Sequence, residues 1–293
     1  VYLVKESQRV YPYDTHMAHT LGFAGIDNQG LSGIELTYDE YLTGEDGAIK
    51  YYSDAKGNKL SLSEVYEQPQ DGMNITLTIN NEIQTSLERE LSNAVTKYNP
   101  DRAIGLVMDP DTGEILAISA RPTFDPNNYQ DYSLEEINRN LPIWATYEPG
   151  STFKIITLAA ALEEGKVDLE KDTFYDRGSI KVENATIHCW KHGGHGKETF
   201  MQVVENSCNP GFVVLGQRLG KNTLFDYIDS FGFGKKTGVD LNGESSGIIF
   251  DRGKVGPVEL ATTAFGQGVS VTPIQQVTAV SAAINGGTLY KPY

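Results

Sequence analysis

Cysteine, histidine and tryptophan are scarce in this chain: 293 residues include two Cys, five His and two Trp. Two cysteines exclude a disulfide-dense scaffold, so stability has to come from an apolar core, and an apolar content of 39% is enough for one. No apolar run is long enough to cross a membrane. Basic residues are also short. The 24 Lys and Arg against 39 Asp and Glu leave a net charge of −15, which argues against nucleic acid or an anionic lipid surface as partner. Internal repeats and low-complexity tracts are missing. So are an initiator Met and a signal-like start, and Val1 is expected to open a piece cut from a longer chain. The length fits two domains or one large one.

The few metal-binding residue types are not scattered. Cys189, Cys208, His188, His192 and His195 all fall within one short stretch, while His16 and His19 lie near the start and read as surface residues. Residues 1 to about 70 are polar and Gly-rich, with β-like runs at Gly33–Tyr38 and Ala48–Tyr52 separated by turn signals. They read as a small β-rich module, with Glu67–Gly72 as the linker. A larger domain, 71–293, follows. Asn74–Ile79 alternates like a strand, and Asn80 or Asn81 is placed to cap a helix through Ile83, Leu87 and Leu91. Strands are expected at Ala103–Met108 and Ile115–Ala120 around the turn Asp109-Pro110-Asp111-Thr112-Gly113. From Glu148 to about 230 the pattern is mostly helical, Ser179–Val182 being the one strand-like run. A last helix runs from about Thr272 to Ile284 with Pro273 at an early position.

Chemistry concentrates at Glu148-Pro149-Gly150-Ser151-Thr152-Phe153-Lys154. Pro149 and Gly150 make a turn, and an apolar helix follows. A helix starting at Ser151 puts Lys154 one turn later on the same face. The Ser151 hydroxyl then meets an amine at the positive end of a helix dipole. A neutral, desolvated lysine can take the proton of such a hydroxyl, while free backbone N–H groups stabilise the charge that develops. An ordinary N-cap serine followed by a surface lysine has the same spacing. A second candidate, Ser207-Cys208-Asn209, follows a helix end and precedes Pro210; it offers a hydroxyl to relay a proton and an amide to hold a carbonyl.

A third constellation is metal-like. Cys189-x2-His192-x2-His195 and Cys208 supply two thiolates and two imidazoles, the usual tetrahedral set for structural zinc. His188 is a spare imidazole, and Asp176 is a further oxygen ligand if the strand after it folds back. Gly193-Gly194 lets the backbone wrap around an ion. A Cys189–Cys208 disulfide and a set of unrelated polar residues are the competing readings. Trp190 is expected to pack, and Asp125–Tyr129 to be a structural turn.

Taken together, these residues resemble the class B penicillin-binding proteins, the sporulation- and elongation-type D,D-transpeptidases of Gram-positive bacteria. The likeness is carried by Ser151-x-x-Lys154 and Ser207-x-Asn209. It extends through Val107–Ala117, Phe124–Asn127, Tyr147–Lys154, Phe231–Leu241 and Ala264–Gly268, covering residues 72 to 293. The resemblance implies an α+β, penicillin-binding/β-lactamase-like transpeptidase domain: an antiparallel sheet with helices on both faces plus a helical subdomain. The first 70 residues would be part of a non-catalytic pedestal. It implies Ser151 as acylated nucleophile, Lys154 as its base, Ser207 as proton relay and Asn209 as holder of the stem peptide or a β-lactam amide. The activity implied is cross-linking of peptidoglycan stem peptides, inhibited by β-lactams, with a membrane glycosyltransferase as partner. The place implied is the extracytoplasmic face of the membrane. A D,D-carboxypeptidase or β-lactamase, or a β-lactam sensor without turnover, is the alternative.

The family's third motif, Lys-Thr/Ser-Gly, comes late in the domain. Lys236-Thr237-Gly238 lies too close behind Ser207 and inside a Gly-rich loop, so it is rejected as that motif. The true one, with the last core strands, is expected beyond Tyr293. Because Cys208 sits between Ser207 and Asn209, zinc at the cluster is expected to fix the backbone that carries both.

Overall fold

The computed structural model describes residues 8–54, 56 and 59–293, apart from the side chains of 51, 53 and 59–65. Among these residues no helix is long and apolar enough to cross a membrane. The chain forms two units.

One unit takes the described residues up to Thr78 together with Pro122–Arg139 and Asp240–Asn242. Short helices at Ala18–Leu21, Gly33–Thr37 and Asp39–Leu42 precede an antiparallel hairpin of Ala48–Ser53 with Lys59–Glu67. Its apolar centre is Tyr11, Ala18, Phe23, Phe124 and Ile137, which explains why a segment around residue 130 joins the start of the chain. Phe23 stacks on Tyr129 with ring centroids 4.2 Å apart, and Phe124 meets Phe23 edge-on. The alternating run Gly33–Tyr38 is mainly helix, not strand. Gly33 enters it at φ +58°, Ile34 is buried, and the Thr37 hydroxyl donates back to the Gly33 carbonyl at 3.0 Å. Six residues of alternation do not separate the two periods.

The second unit comprises Ile79–Arg121, Asn140–Val239 and Gly243–Tyr293. Asn80 caps the helix Asn81–Tyr98 by accepting from the backbone of Glu82 and Ile83. That helix packs on the hairpin Ala103–Met108/Ile115–Arg121, which the helix Pro273–Ile284 also contacts. Buried Gln84 docks helix to strand: its amide accepts from Ile118 N–H at 2.8 Å and donates to Ile118 C=O at 3.0 Å. Asn74–Ile79 is irregular and not a strand; just beyond it Asn80 N–H donates to Leu116 C=O at 2.9 Å.

The main core joins the helices Lys154–Glu163, Asn209–Ser230 and Pro257–Thr263 through fully buried Phe153, Ile156, Phe212, Leu215 and Ala264. Between the first two helices lie four four-residue strands, of which only Ser179–Val182 is legible beforehand. Thr173–Asp176 pairs with Gly196–Thr199, and Ser179–Val182 with Ala185–His188, all antiparallel. The other three strands are too short to show a period, and the residues that turn the chain between the strands, Gly178, Glu183, Gly193 and Gly194, all have positive φ.

The turn before Lys154–Glu163 is held in part by a close backbone approach. Gly150 N–H donates to Gly266 C=O at 2.9 Å, and a Cβ on Gly266, where φ is +80°, would sit 2.2 Å from the Gly150 oxygen. Gly165 also has positive φ (+60°), with nothing within 4 Å of its Cβ position. Gly165→Ala should therefore cost only the conformational term, about 1–2 kcal/mol. Gly266→Ala adds a collision and should cost roughly 3 kcal/mol or more in urea unfolding. Equal losses would show that the approach of residues 150 and 266 does not hold the turn.

Candidate active site

Two bridges set the turn that carries Ser151. Tyr147 exchanges both backbone hydrogen bonds with Val271 (3.0 and 2.9 Å), and the Glu148 carboxylate accepts from Gly268 N–H at 2.8 Å. Gly150–Phe153 is a 3₁₀ turn, and the α-helix begins only at Lys154. The tighter turn matters, because side chains three apart eclipse one another in a 3₁₀ helix, so Ser151 and Lys154 project from the same side. The Lys154 N–H closes the turn on the Ser151 carbonyl. Ser151 is exposed, and among the described residues its hydroxyl has no hydrogen-bond partner.

Lys154 is the opposite case, only 4% exposed. Its Nζ donates to the Ser207 carbonyl (2.8 Å), the Ser207 hydroxyl (2.9 Å) and Asn209 Oδ1 (2.7 Å), three acceptors for the three N–H bonds of an ammonium. The Phe212 ring lies 5.2 Å away. Burial pushes the Lys154 pKa down to about 8, against the pull of the Cys208 and Cys189 sulfurs, which favour the charged form. An amine with that pKa is a competent base near neutral pH. Lys154, Ser207 and Asn209 are thus brought together, and Ser151 stands one 3₁₀ turn from the amine.

The loop that supplies two of those acceptors is strained. Ser207 has φ +50°, unusual for a residue with a side chain. It falls between the helix Phe200–Glu205 and the helix Asn209–Ser230, whose N-cap is Cys208 and whose first turn holds Pro210. The Asn209 amide also reaches the His188 carbonyl at 3.4 Å.

Directly behind this loop Asp176, Cys189, His195 and Cys208 offer ligand atoms that all lie within 4.8 Å of one another. Asp176 Oδ2 is 3.1 Å from His195 Nδ1 and 3.4 Å from Cys208 Sγ, and Cys189 Sγ is 3.4 Å from His195 Nδ1. Both cysteines are free thiols. Burial raises the pKa of Cys208 and of Cys189, with Asp176 adding to it. Burial also opposes ionisation of Asp176, but hydrogen bonds from Cys189, Gly178 N–H and His195 outweigh it and hold the carboxyl at about 2.

His192, expected among the ligands, lies outside this cluster, and Asp176 stands in its place. The reason is non-local. The pairing of Asp176 with Gly196 returns the carboxylate to His195, while Gly193 and Gly194, both at positive φ, leave His192 exposed on the loop before them. Only glycine fits at 194, since a Cβ there would lie 2.3 Å from Gly178 N. His188 is exposed as well. Trp190, expected to pack, is 68% exposed; its indole N–H donates to the Asn206 carbonyl at 2.7 Å. Glu198, buried beside His195, was not singled out by any spacing in the sequence. Lys236-Thr237-Gly238 wraps the chain's own Glu244 carboxylate, which accepts from Thr237 N–H (2.5 Å), the Thr237 hydroxyl (2.6 Å) and Gly238 N–H (3.1 Å).

Residues 103–293 match the penicillin-binding protein transpeptidase domain and residues 1–77 the penicillin-binding protein dimerisation domain. Stage V sporulation protein D of Bacillus subtilis (strain 168) is 60% identical over 294 residues, covering 100% of this chain and 46% of that protein. Peptidoglycan D,D-transpeptidase FtsI of Escherichia coli (strain K12) is 31% identical, covering 100% of this chain and 48% of its own length. The chain thus spans about half the length of these relatives. Among solved structures, penicillin binding protein 3 of Mycobacterium tuberculosis complexed with ampicillin superposes with a TM-score of 0.85 at 29% identity, covering 97% of this chain and 59% of that one.

The buried amine makes stability depend on pH. Unfolded, it keeps its proton to about pH 10.4; folded, it releases it from about 8. Between those values the unfolded chain binds more protons, so stability rises with pH; below them the cost of burying the ammonium is present in full. Relative to Lys154→Met, wild type should gain up to about 1 kcal/mol per pH unit between pH 8 and 10 in urea unfolding. A flat or falling difference would remove the buried ammonium from the description.

Proposed function

Because the chain belongs to the penicillin-binding transpeptidases, we propose that it is the catalytic part of a peptidoglycan D,D-transpeptidase working through an acyl-enzyme at Ser151. The observation that carries this reading is the Lys154 amine, buried, low in pKa and bonded at once to Ser207 and Asn209. In its neutral form Lys154 takes the Ser151 proton as the oxygen attacks the penultimate D-Ala carbonyl of a stem peptide. The backbone N–H of Ser151, in the first turn of a helix, faces the developing oxyanion. As the carbonyl re-forms, the C–N bond breaks, and Ser207 hands the proton from Lys154 to the departing D-Ala nitrogen. An amine of a neighbouring stem then attacks the ester in the reverse sense, restoring the Ser151 hydroxyl. Asn209 uses its amide to hold the stem, and a β-lactam would enter as a mimic of D-Ala-D-Ala and remain as the ester. The 60% likeness to a stage V sporulation protein favours a wall built during sporulation, at the extracytoplasmic face of a membrane, beside a glycosyltransferase that makes the glycan strands.

Zinc belongs to the same reading. Two thiols, an imidazole and a carboxylate within 4.8 Å form a donor set of the right softness and number for a closed tetrahedral ion. The fit is also electrostatic. Cys208 is fully buried beside an ionised carboxylate, so its thiolate is disfavoured until a cation joins it. When bound, zinc would supply charge and cross-linking, with Asp176, Cys189, His195 and Cys208 as ligands and no position left for water. Its effect would reach the reaction through the loop that Cys208 shares with Ser207 and Asn209.

Intact-mass analysis of the full-length protein with a penicillin tests both parts. The protein should gain one penicillin mass at Ser151, and Ser151→Ala should gain none. The acylation rate should rise with pH through about 8, and Lys154→Met should lower it by about 100-fold or more. Zinc removal by a chelator should slow acylation without preventing it. An adduct on another residue, or rapid release of hydrolysed penicillin, would replace the transpeptidase reading with another.

A further inference from the structure

Glu198 has a carboxylate that the reaction just described does not use. It lies in the strand Gly196–Thr199, three residues after His195, and is only 4% exposed. Its two oxygens reach in different directions. Oε1 accepts from the side-chain amide of Asn206, the residue immediately before Ser207. Oε2 has no hydrogen-bond donor among the described residues and lies 3.9 Å from His195 Nδ1. A buried carboxylate with one oxygen unpartnered is unfavourable for folding alone, so its position calls for another reason.

Asn206 supplies that reason. Its backbone N–H donates to Gln202 C=O at 2.8 Å, its carbonyl accepts the Trp190 indole N–H at 2.7 Å, and its side chain is held by Glu198. Three tethers therefore fix the residue from which Ser207 departs at φ +50°, a conformation that persists only where the surroundings impose it. In that conformation the Ser207 carbonyl and hydroxyl both meet the Lys154 amine.

We propose that Glu198 is a positioning residue for Ser207: a strut from the Asp176–Cys189–His195–Cys208 cluster to Asn206 that holds the strained loop against Lys154. Cys208 ties the loop to the cluster from behind Ser207, and Glu198 does so from in front. This deepens the acyl-transfer reading and rests on it.

The test uses the full-length protein, a fluorescent penicillin and three variants. Glu198→Ala removes the acceptor and should slow acylation by about tenfold or more. Glu198→Gln keeps an amide oxygen for Asn206 and should stay within about threefold of wild type. Asn206→Ala removes the donor while sparing the backbone contact to Trp190, and should match Glu198→Ala; it carries the test if Glu198→Ala does not fold. Zinc content and thermal midpoint, read alongside, should stay at wild-type values. Wild-type rates in Glu198→Ala and Asn206→Ala, an equal loss in Glu198→Gln, or loss of zinc together with acylation would each overturn the strut. Absence of any Ser151 adduct on wild type would instead overturn the acyl-transfer reading beneath it.

Discussion

Burial of one amine among three oxygen acceptors is the constraint around which the second unit of this chain is arranged. An ammonium removed from water is costly unless its N–H bonds are all answered, and here Ser207 answers two and Asn209 one. The same removal from water makes the neutral form accessible, with a pKa of about 8. A single placement thus does two things: it specifies where the loop must lie, and it makes the amine basic at a useful pH. The exposed Ser151 hydroxyl one 3₁₀ turn earlier has no internal partner among the described residues and is open to a ligand.

Holding that loop requires structure that the loop does not contain. Ser207 sits in a left-handed conformation, between a six-residue helix and a longer one. Four short strands behind it place Asp176, Cys189 and His195 around Cys208, the residue next along. Strands of four residues have little stability of their own. Drawing them together at four polar side chains, two of them thiols, makes this region depend on the hydrogen bonds among those groups. The cluster and the reactive loop therefore form one mechanical unit, although they differ in chemistry.

How much of this was visible in the sequence follows from distance along the chain. Ser151 and Lys154 are three apart, so any helical turn aligns them, and the structure differs only in making that turn 3₁₀. Asn80 as a cap, the hairpin around Asp109–Gly113 and the helix at Pro273 were legible for the same reason: each signal is local. Asp176 was named only as a spare ligand, because its approach depends on strand pairing across nineteen intervening positions. His192 had the better local spacing and the wrong side of a Gly-Gly turn. Glu198 gave no signal, since a buried glutamate looks like any other in a polar stretch. Gly33–Thr37 is helix where its alternation suggests strand, because a few alternating residues satisfy both periods alike.

The Lys236-Thr237-Gly238 loop carries one more consequence. Its two amides and hydroxyl form a ready receptor for a carboxylate, and Glu244 from the same loop already fills it. With Glu244 on them, these donors are closed to any other carboxylate, and the loop is pinned to itself at three points.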